Sequence, residues 1–407
     1  MYNVGMGIFS SFNKKNKFEK VLLVSIGSSS VSAAFVEIGE KISTVTATIN
    51  TDISVITDLS LIKFEQEMEK ALKQSLVAIS RLHLGAPDRI AVFFFSPWYA
   101  SQVRIAKMSR PTPFVVSKTL LNDMIAHELK AFEDEELNDK RVGTESLRAI
   151  ESKVVQIKLN GYPTTEPIDL SASELEISIF LSIAPERTIT RIEEIISQTY
   201  HQKVTFSSFA GASFLVVRDF FPHQEDYLLI DVGGEVTDVM LVRESAIVQS
   251  SSFPLGRNFM LRKLSLGLKR SVAESVTICS LYVEDKVEAS VKETCTKILT
   301  EAKDAWLEQF QRTLFSISNE LSIPDTVLLS VNTEVAPWFI ETIRREKFNQ
   351  YALTEKEFNV IVLNAEVFHE SLAFVEGVPR DSCIIMEALA CTIIQKQESY
   401  LIPQKSN

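Results

Sequence analysis

Two stretches, alike in pattern and separated by half the chain, constrain the fold of this sequence more than any other feature. Leu22–Val36 reads LLVSIGSSSVSAAFV, and at an offset of 206 positions Leu228–Val242 reads LLIDVGGEVTDVMLV. Each is an apolar strand, a tight turn of small residues and a second apolar strand, the pattern of a β-hairpin. The copies differ in their acids: Asp231 and Asp238 stand where the earlier copy has Ser25 and Ser32.

The repeat extends beyond the hairpins. VLLVSI, VSAAFVEI and ISTVTATI predict a three-stranded meander between Lys20 and Asn50, and Tyr227–Val232, Val236–Val242 and Ala246–Ser251 predict another. A glycine in a hairpin turn is ordinary, because any turn with positive φ selects it. Repetition at matched apolar register is what sets this pair apart. A tight hairpin turn exposes backbone N–H groups that hold phosphate oxygens, so two of them facing one another can clamp a triphosphate. A carboxylate at the end of each first strand can then meet a hydrated Mg²⁺.

Between and after the meanders, helical and extended patterns alternate. Leu61–Leu84 has helical apolar spacing, Ile90–Phe95 reads as a buried strand, and Ala100–Met108 as another. Ser117 suits a helix N-cap, with that helix running to about Phe132, and the charged stretch 133–151 reads as a solvated loop or frayed helix end. Lys153–Leu159 and Glu174–Ala184 complete a small α/β insertion at 89–180. Helices follow at 185–200 and 210–220. The second half continues with helical segments over 258–315, a strand at 324–331, a helix after Pro337, a short strand at 360–363 and a final helix over 382–397.

At 407 residues, 45% apolar and 23% charged, the chain is long enough for two or three domains with their own cores. A net charge of -11, with no Lys/Arg cluster outside the N-terminus, excludes a nucleic-acid footprint. The four cysteines form no CxxC pair and the five histidines are scattered singly, so buried reduced thiols and no structural metal are expected. No apolar run approaches the ~20 residues of a membrane span, which predicts a cytoplasmic chain. Its first seventeen residues, MYNVGMGIFSSFNKKNK, mix apolar and basic residues: either a flexible tail or a peripheral contact with an anionic membrane surface.

IGSSSVS at 26–32, DVGGEVTD at 231–238 and the connector SFPLGRNF at 252–259 resemble the two phosphate loops and following segment of the actin-like ATPase superfamily, in its bacterial FtsA/PilM branch. VQIKLNGYPTTEP at 155–167 and ELEISIFLSIAP at 174–185 resemble the end of the inserted subdomain of FtsA. The resemblance spans about residues 20–395. It implies an actin-like, ribonuclease H-like duplicated α/β fold, two lobes around a nucleotide cleft, with an insertion of FtsA type. Its divisions are a tail at 1–17, a first lobe at 18–88 and 181–220, the insertion at 89–180, a second lobe at 221–381, and a C-terminal helix and tail at 382–407.

Carried over by position, the phosphate-binding set is Gly27, Ser28, Ser29, Ser30, Asp231, Gly233, Gly234 and Thr237, with Asp231 and Asp238 as Mg²⁺ candidates. Glu274, Thr277, Val331 and Asn332 fall on the adenosine side. Four departures from the family pattern converge on the one nucleotide pocket: Ser25 for the first-loop acid, Ser32 for a basic residue of the same hairpin, Thr277 for lysine and Val331–Asn332 for Gly–Gly. The resemblance implies ATP with Mg²⁺ as cofactors, while the departures count against both and predict weakened or lost hydrolysis.

This branch serves as a scaffold at the inner face of the cell membrane, with a tubulin-like division protein or a pilus inner-membrane protein as partner and with self-assembly in some members. The insertion tilts the expectation slightly toward cell division; the first-loop wording and the N-terminus favour a platform for type IV pilus assembly. An active ATPase or sugar kinase on the same fold is the alternative of another class. Trp98 and Tyr99, after Pro97, are candidates for a partner surface.

Overall fold

In the computed structural model, residues 18–39, 42–54, 61–138, 146–318, 322–345 and 357–400 are described. The proposed tail and membrane contact at 1–17 and the end of the chain after 400 lie outside them.

The first lobe opens with β1 (Glu19–Ile26), β2 (Ser30–Ile38), β3 (Ser43–Asp52), α1 (Leu61–Ser80) and β4 (Arg89–Phe94). The insertion follows: β5 (Ala100–Val115), α2 (Lys118–Asn138), β6 (Leu147–Leu159), β7 (Tyr162–Pro163) and β8 (Ser171–Pro185). The chain returns through α3 (Glu186–Ser197), β9 (Val204–Ser208) and α4 (Phe209–Phe220). The second lobe holds β10 (Tyr227–Val232), β11 (Thr237–Arg243), β12 (Ala246–Phe253), α5 (Arg257–Leu268), α6 (Val272–Val283), α7 (Ala289–Ser318), β13 (Thr326–Val331), α8 (Ala336–Arg345) and β14 (Asn359–Val362). Last come β15 (Leu372–Phe374) and α9 (Ser382–Tyr400).

Apart from β15, which adds a parallel edge strand to the first sheet only, the two sheets share one topology. One sheet runs β15-β3-β2-β1-β4-β9 and the other β12-β11-β10-β13-β14, each with two antiparallel pairs followed by two parallel ones. Ser25 pairs with Ser32 in the first hairpin, and Asp231 with Asp238 in the second. The same offset relates the register shift at Phe35/Val36 to that at Leu241/Val242.

Helices cover both faces of each sheet, which is why the central strands read as unbroken apolar runs. α1 and α3 pack on one face of the first sheet, and α5, α7 and α8 on the outer face of the second. Between the sheets lie α4 and α9, sharing one core with both. α9 is buried on every side through its first half, Ile384, Ile385, Met386, Ala388, Leu389, Ala390 and Cys391 together with the one acid Glu387, as befits a helix inside a protein. The insertion builds its own core between its antiparallel sheet and α2.

Two boundaries move. β4 pairs in parallel with β1 and β9, so residues 89–94 belong to the first lobe and the insertion spans Ala100–Pro185 rather than 89–180. β15 pairs with Ser43–Val45, returning the chain to the first sheet before 381. The charged stretch after Phe132 is helical to Asn138 and extended again from Leu147.

Candidate functional site

The first loop closes because β1 and β2 are antiparallel neighbours joined by three residues. Gly27 N–H donates to Ser30 O at 3.0 Å, and Ile53 N–H donates to Ser29 O at 2.8 Å, tying the turn to the end of β3. Behind it stands Trp98, whose indole Nε1 donates to Gly27 O at 2.8 Å and whose ring stacks on Phe64 at 4.8 Å. Only 4% exposed, Trp98 buttresses the loop and is not a partner surface. Tyr99 packs between two core clusters, and burial, with Asp238 and Asp231 nearby, pushes its hydroxyl well above the usual range. It too faces inward.

The second loop caps a helix. Gly233 O and Gly234 O accept from the N–H groups of Arg257 and Asn258 at 2.9 and 2.8 Å, satisfying the start of α5. This approach requires glycine at 256, where a Cβ would lie 2.5 Å from both carbonyl oxygens. Glu235 is held by Arg262 through two bonds of 2.8 and 2.7 Å and by Asn258 Nδ2 at 2.9 Å. Thr237, expected at the phosphates, is wholly buried instead: its hydroxyl donates to Leu255 O at 2.7 Å and accepts from Trp306 Nε1 at 3.3 Å. It fixes the connector from within the core.

The two loops touch. Glu235 N–H donates to Ser28 Oγ at 2.9 Å, and a Cβ on Gly234 would come within 2.7 Å of Ser29 Cβ. Beside this junction opens a cavity of about 540 Å³, within the range of small-molecule sites. Gly27, Ser28, Ser29, Ser30, Asp231, Gly233, Gly234, Val331 and Asn332 all line it, so most of the residues singled out from sequence converge. Asn332 also starts the turn into α8, its Oδ1 accepting from Glu334 N–H at 3.0 Å.

The α6 side differs from expectation by about one residue of helix rotation. Val272, Ala273, Val276, Cys279 and Ser280 face the cavity. Glu274 is exposed and completes a capping box, accepting from Ser271 N–H at 2.9 Å while its own N–H donates to Ser271 Oγ at 3.2 Å. Thr277 is exposed as well, its hydroxyl donating to Ala273 O at 3.4 Å. Neither lines the site.

The acids are arranged unequally. Asp231 lines the cleft and also a second cavity of about 10 Å³, which Asp238 shares. Ser96 Oγ, on the first lobe, donates to Asp238 Oδ1 at 2.8 Å, a bond across the lobes. Burial pushes both carboxyls up to about 7, Asp238 adding to the effect on Asp231, against opposing hydrogen bonds from Ser330 and Ser96. On the first-lobe side the missing acid has a counterpart that the sequence did not reveal. Glu387 of α9, completely buried, accepts from Ser25 Oγ at 2.5 Å, and burial holds its carboxyl well above the usual range.

Mg²⁺ beside a nucleotide is commonly held by one or two carboxylates together with phosphates and waters, and Asp231, Asp52, Glu334 and Asp381 line the cleft. Mg²⁺ requires close octahedral oxygen ligands. Among the described residues, no group of three or more His, Cys, Asp or Glu side chains is placed to hold a metal. Of the two Mg²⁺ candidates, only Asp231 lines the main cleft, while Asp238 is engaged by Ser96. Leu261, Val272, Val276, Val331 and Val335 give the cleft an apolar part of its lining, and Arg257 and Arg380 line it as well.

No family model matches the chain, and no curated protein does. Among solved structures, a PilM–PilN type IV pilus biogenesis complex aligns over 92% of this chain and 99% of its own, at 11% identity and a TM-score of 0.60. The ethanolamine utilization protein EutJ from Carboxydothermus hydrogenoformans aligns over 91% and 88%, at 10% identity and 0.43. A Bacteroides thetaiotaomicron protein of actin-like ATPase fold and unknown function aligns over 95% and 99%, at 10% identity and 0.41. The chain has the actin-like ATPase fold, in a divergent form.

Proposed function

We propose that this chain is a scaffold of the PilM type at the inner face of the cell membrane, in which the cleft binds nucleotide weakly and does not turn it over efficiently. The observation that carries this is the contact between the loops: Ser28 Oγ accepts the Glu235 N–H, a donor of the kind that would otherwise meet a phosphate oxygen. The first-loop serine is engaged too, by a buried carboxyl rather than by solvent. A scaffold acts through its surfaces, so eroded catalysis leaves that role intact.

The solved PilM–PilN complex supports a pilus platform, with a membrane protein's cytoplasmic segment as partner, over the division role toward which the sequence tilts. Residues 1–17 supply the proposed peripheral contact with the membrane. Two measurements test the proposal. Titration of ATP analogues with and without Mg²⁺, together with turnover, tests the cleft; tight Mg²⁺-dependent binding with steady turnover contradicts it. In-cell cross-linking tests the role, with pilus inner-membrane components expected and a tubulin-like division protein as the contrary result.

A further inference from the structure

Between α4, which returns the chain to the first lobe, and the second sheet lies the smaller cavity, of about 10 Å³. Its polar lining is Ser213, Asp231, Asp238 and Ser330, and Phe209, Leu229 and Met240 are among its apolar walls. That volume is about one water-sized sphere, room for a single small molecule and no more. Among the described residues, no Lys, Arg or His lines it.

Ser213 marks the site. It lies within α4, is 2% exposed, and its Oγ has no hydrogen-bond partner among the described residues. A helical serine can place its hydroxyl on the carbonyl four residues back, as Ser275 does in α6, where Oγ donates to Ser271 O at 2.9 Å. Ser213 makes no such bond, and a buried hydroxyl left unmade is unfavourable. Across the cavity stand two carboxyls, opposite partners on β10 and β11. Each has one serine donor: Ser96 Oγ bonds Asp238 Oδ1 at 2.8 Å, and Ser330 bonds Asp231. A carboxyl accepts more than one donor, so both can take another from a molecule placed between them.

We infer that this cavity is a binding site for one water molecule, which accepts from Ser213 Oγ and donates to the carboxyls of Asp231 and Asp238. Three hydrogen bonds are the usual complement of an internal water. The water ties α4 to the second hairpin, beside the direct bond from Ser96 to Asp238, so the two lobes share a polar seam within an otherwise apolar junction. The site lies apart from the scaffold role and requires neither nucleotide nor partner.

High-resolution diffraction from crystals of the full chain should show one isolated peak within hydrogen-bond distance, about 2.5–3.2 Å, of Ser213 Oγ and of a carboxyl oxygen of each aspartate. Thermal unfolding of Ser213→Ala gives an independent reading by its sign. With the water in place, the variant strips it of one partner and should lower the melting temperature by about 1–4 °C. If no water sat there, the same change would remove an unmade hydroxyl and install a better helix former, so the melting temperature would rise. Exchanging Na⁺ or K⁺ for choline at equal ionic strength should leave the melting temperature of the unaltered protein unchanged, as water rather than an alkali ion fills the site. The absence of a peak between the three side chains, a melting temperature raised or unchanged in Ser213→Ala, or selective stabilisation by Na⁺ or K⁺ overturns the inference.

Discussion

Ser25 Oγ donates to Glu387 Oε2 at 2.5 Å, bringing a carboxyl from the C-terminal helix to the strand position where the second hairpin carries Asp231. Glu387 Oε1 is buried without a hydrogen-bond partner, so this bond is the carboxyl's one anchor among the described residues. Ser25→Asp sets two buried carboxyls at hydrogen-bond distance. It should destabilise the fold by about 3 kcal/mol or more, the scale of an uncompensated buried charge. Adding Glu387→Ser, which exchanges the two groups, should recover most of that loss. Urea denaturation of the single and double variants measures both, and neither should gain hydrolysis.

Gly256 is required by a close approach rather than by an unusual φ. Gly256→Ala drives a Cβ to 2.5 Å from Gly233 O and Gly234 O, so the second loop must shift and release the N–H groups of Arg257 and Asn258. A loss of about 1–3 kcal/mol is expected. Hydrogen exchange should show faster amides at 257 and 258, while the core of the insertion stays protected.

The Asp231–Asp238 pair gives a pH dependence of defined sign. Both carboxyls rise from an ordinary value of 3.8 to about 7 in the folded chain, so the folded state holds protons that the unfolded state has released. Their stabilising contribution is complete below pH 4 and is lost as the pH rises through 7. Each contributes a slope of at most about 1.4 kcal/mol per pH unit across that window. Asp238→Asn keeps an acceptor for Ser96 but removes the titration. Compared with the unaltered protein, it should gain relative stability between pH 4 and 8; an unchanged difference across that range contradicts the assignment.

Trp98 is held by a stack and a hydrogen bond behind the first loop. Trp98→Ala should therefore cost about 3–5 kcal/mol in stability, as for other large-to-small core changes. A partner-surface role would instead leave the melting temperature unchanged and weaken only complex formation.

Sequence made the duplication legible because both its signals are local. Strand period and turn residues define each hairpin, and Ser25/Ser32 and Asp231/Asp238 fall in the same register. The Glu387 contact was not legible, since it spans 362 positions and nothing in the apolar run around Glu387 points to Ser25. Glu274 and Thr277 missed the cavity because neighbouring residues on a helix point about 100° apart, and a resemblance fixes segments more securely than faces. Residues 89–94 and 372–374 were misassigned for a related reason. A strand's own residues state that it is extended, while its partners, β1 and β3 here, lie elsewhere in the chain.

The central claim is that this actin-like cleft has lost efficient hydrolysis, and single-turnover ATP cleavage with protein in excess and Mg²⁺ present tests it most directly. The account predicts no cleavage above the protein-free rate, for the unaltered chain and for Ser25→Asp alike. Mg²⁺-dependent cleavage that disappears in Asp231→Asn would contradict it.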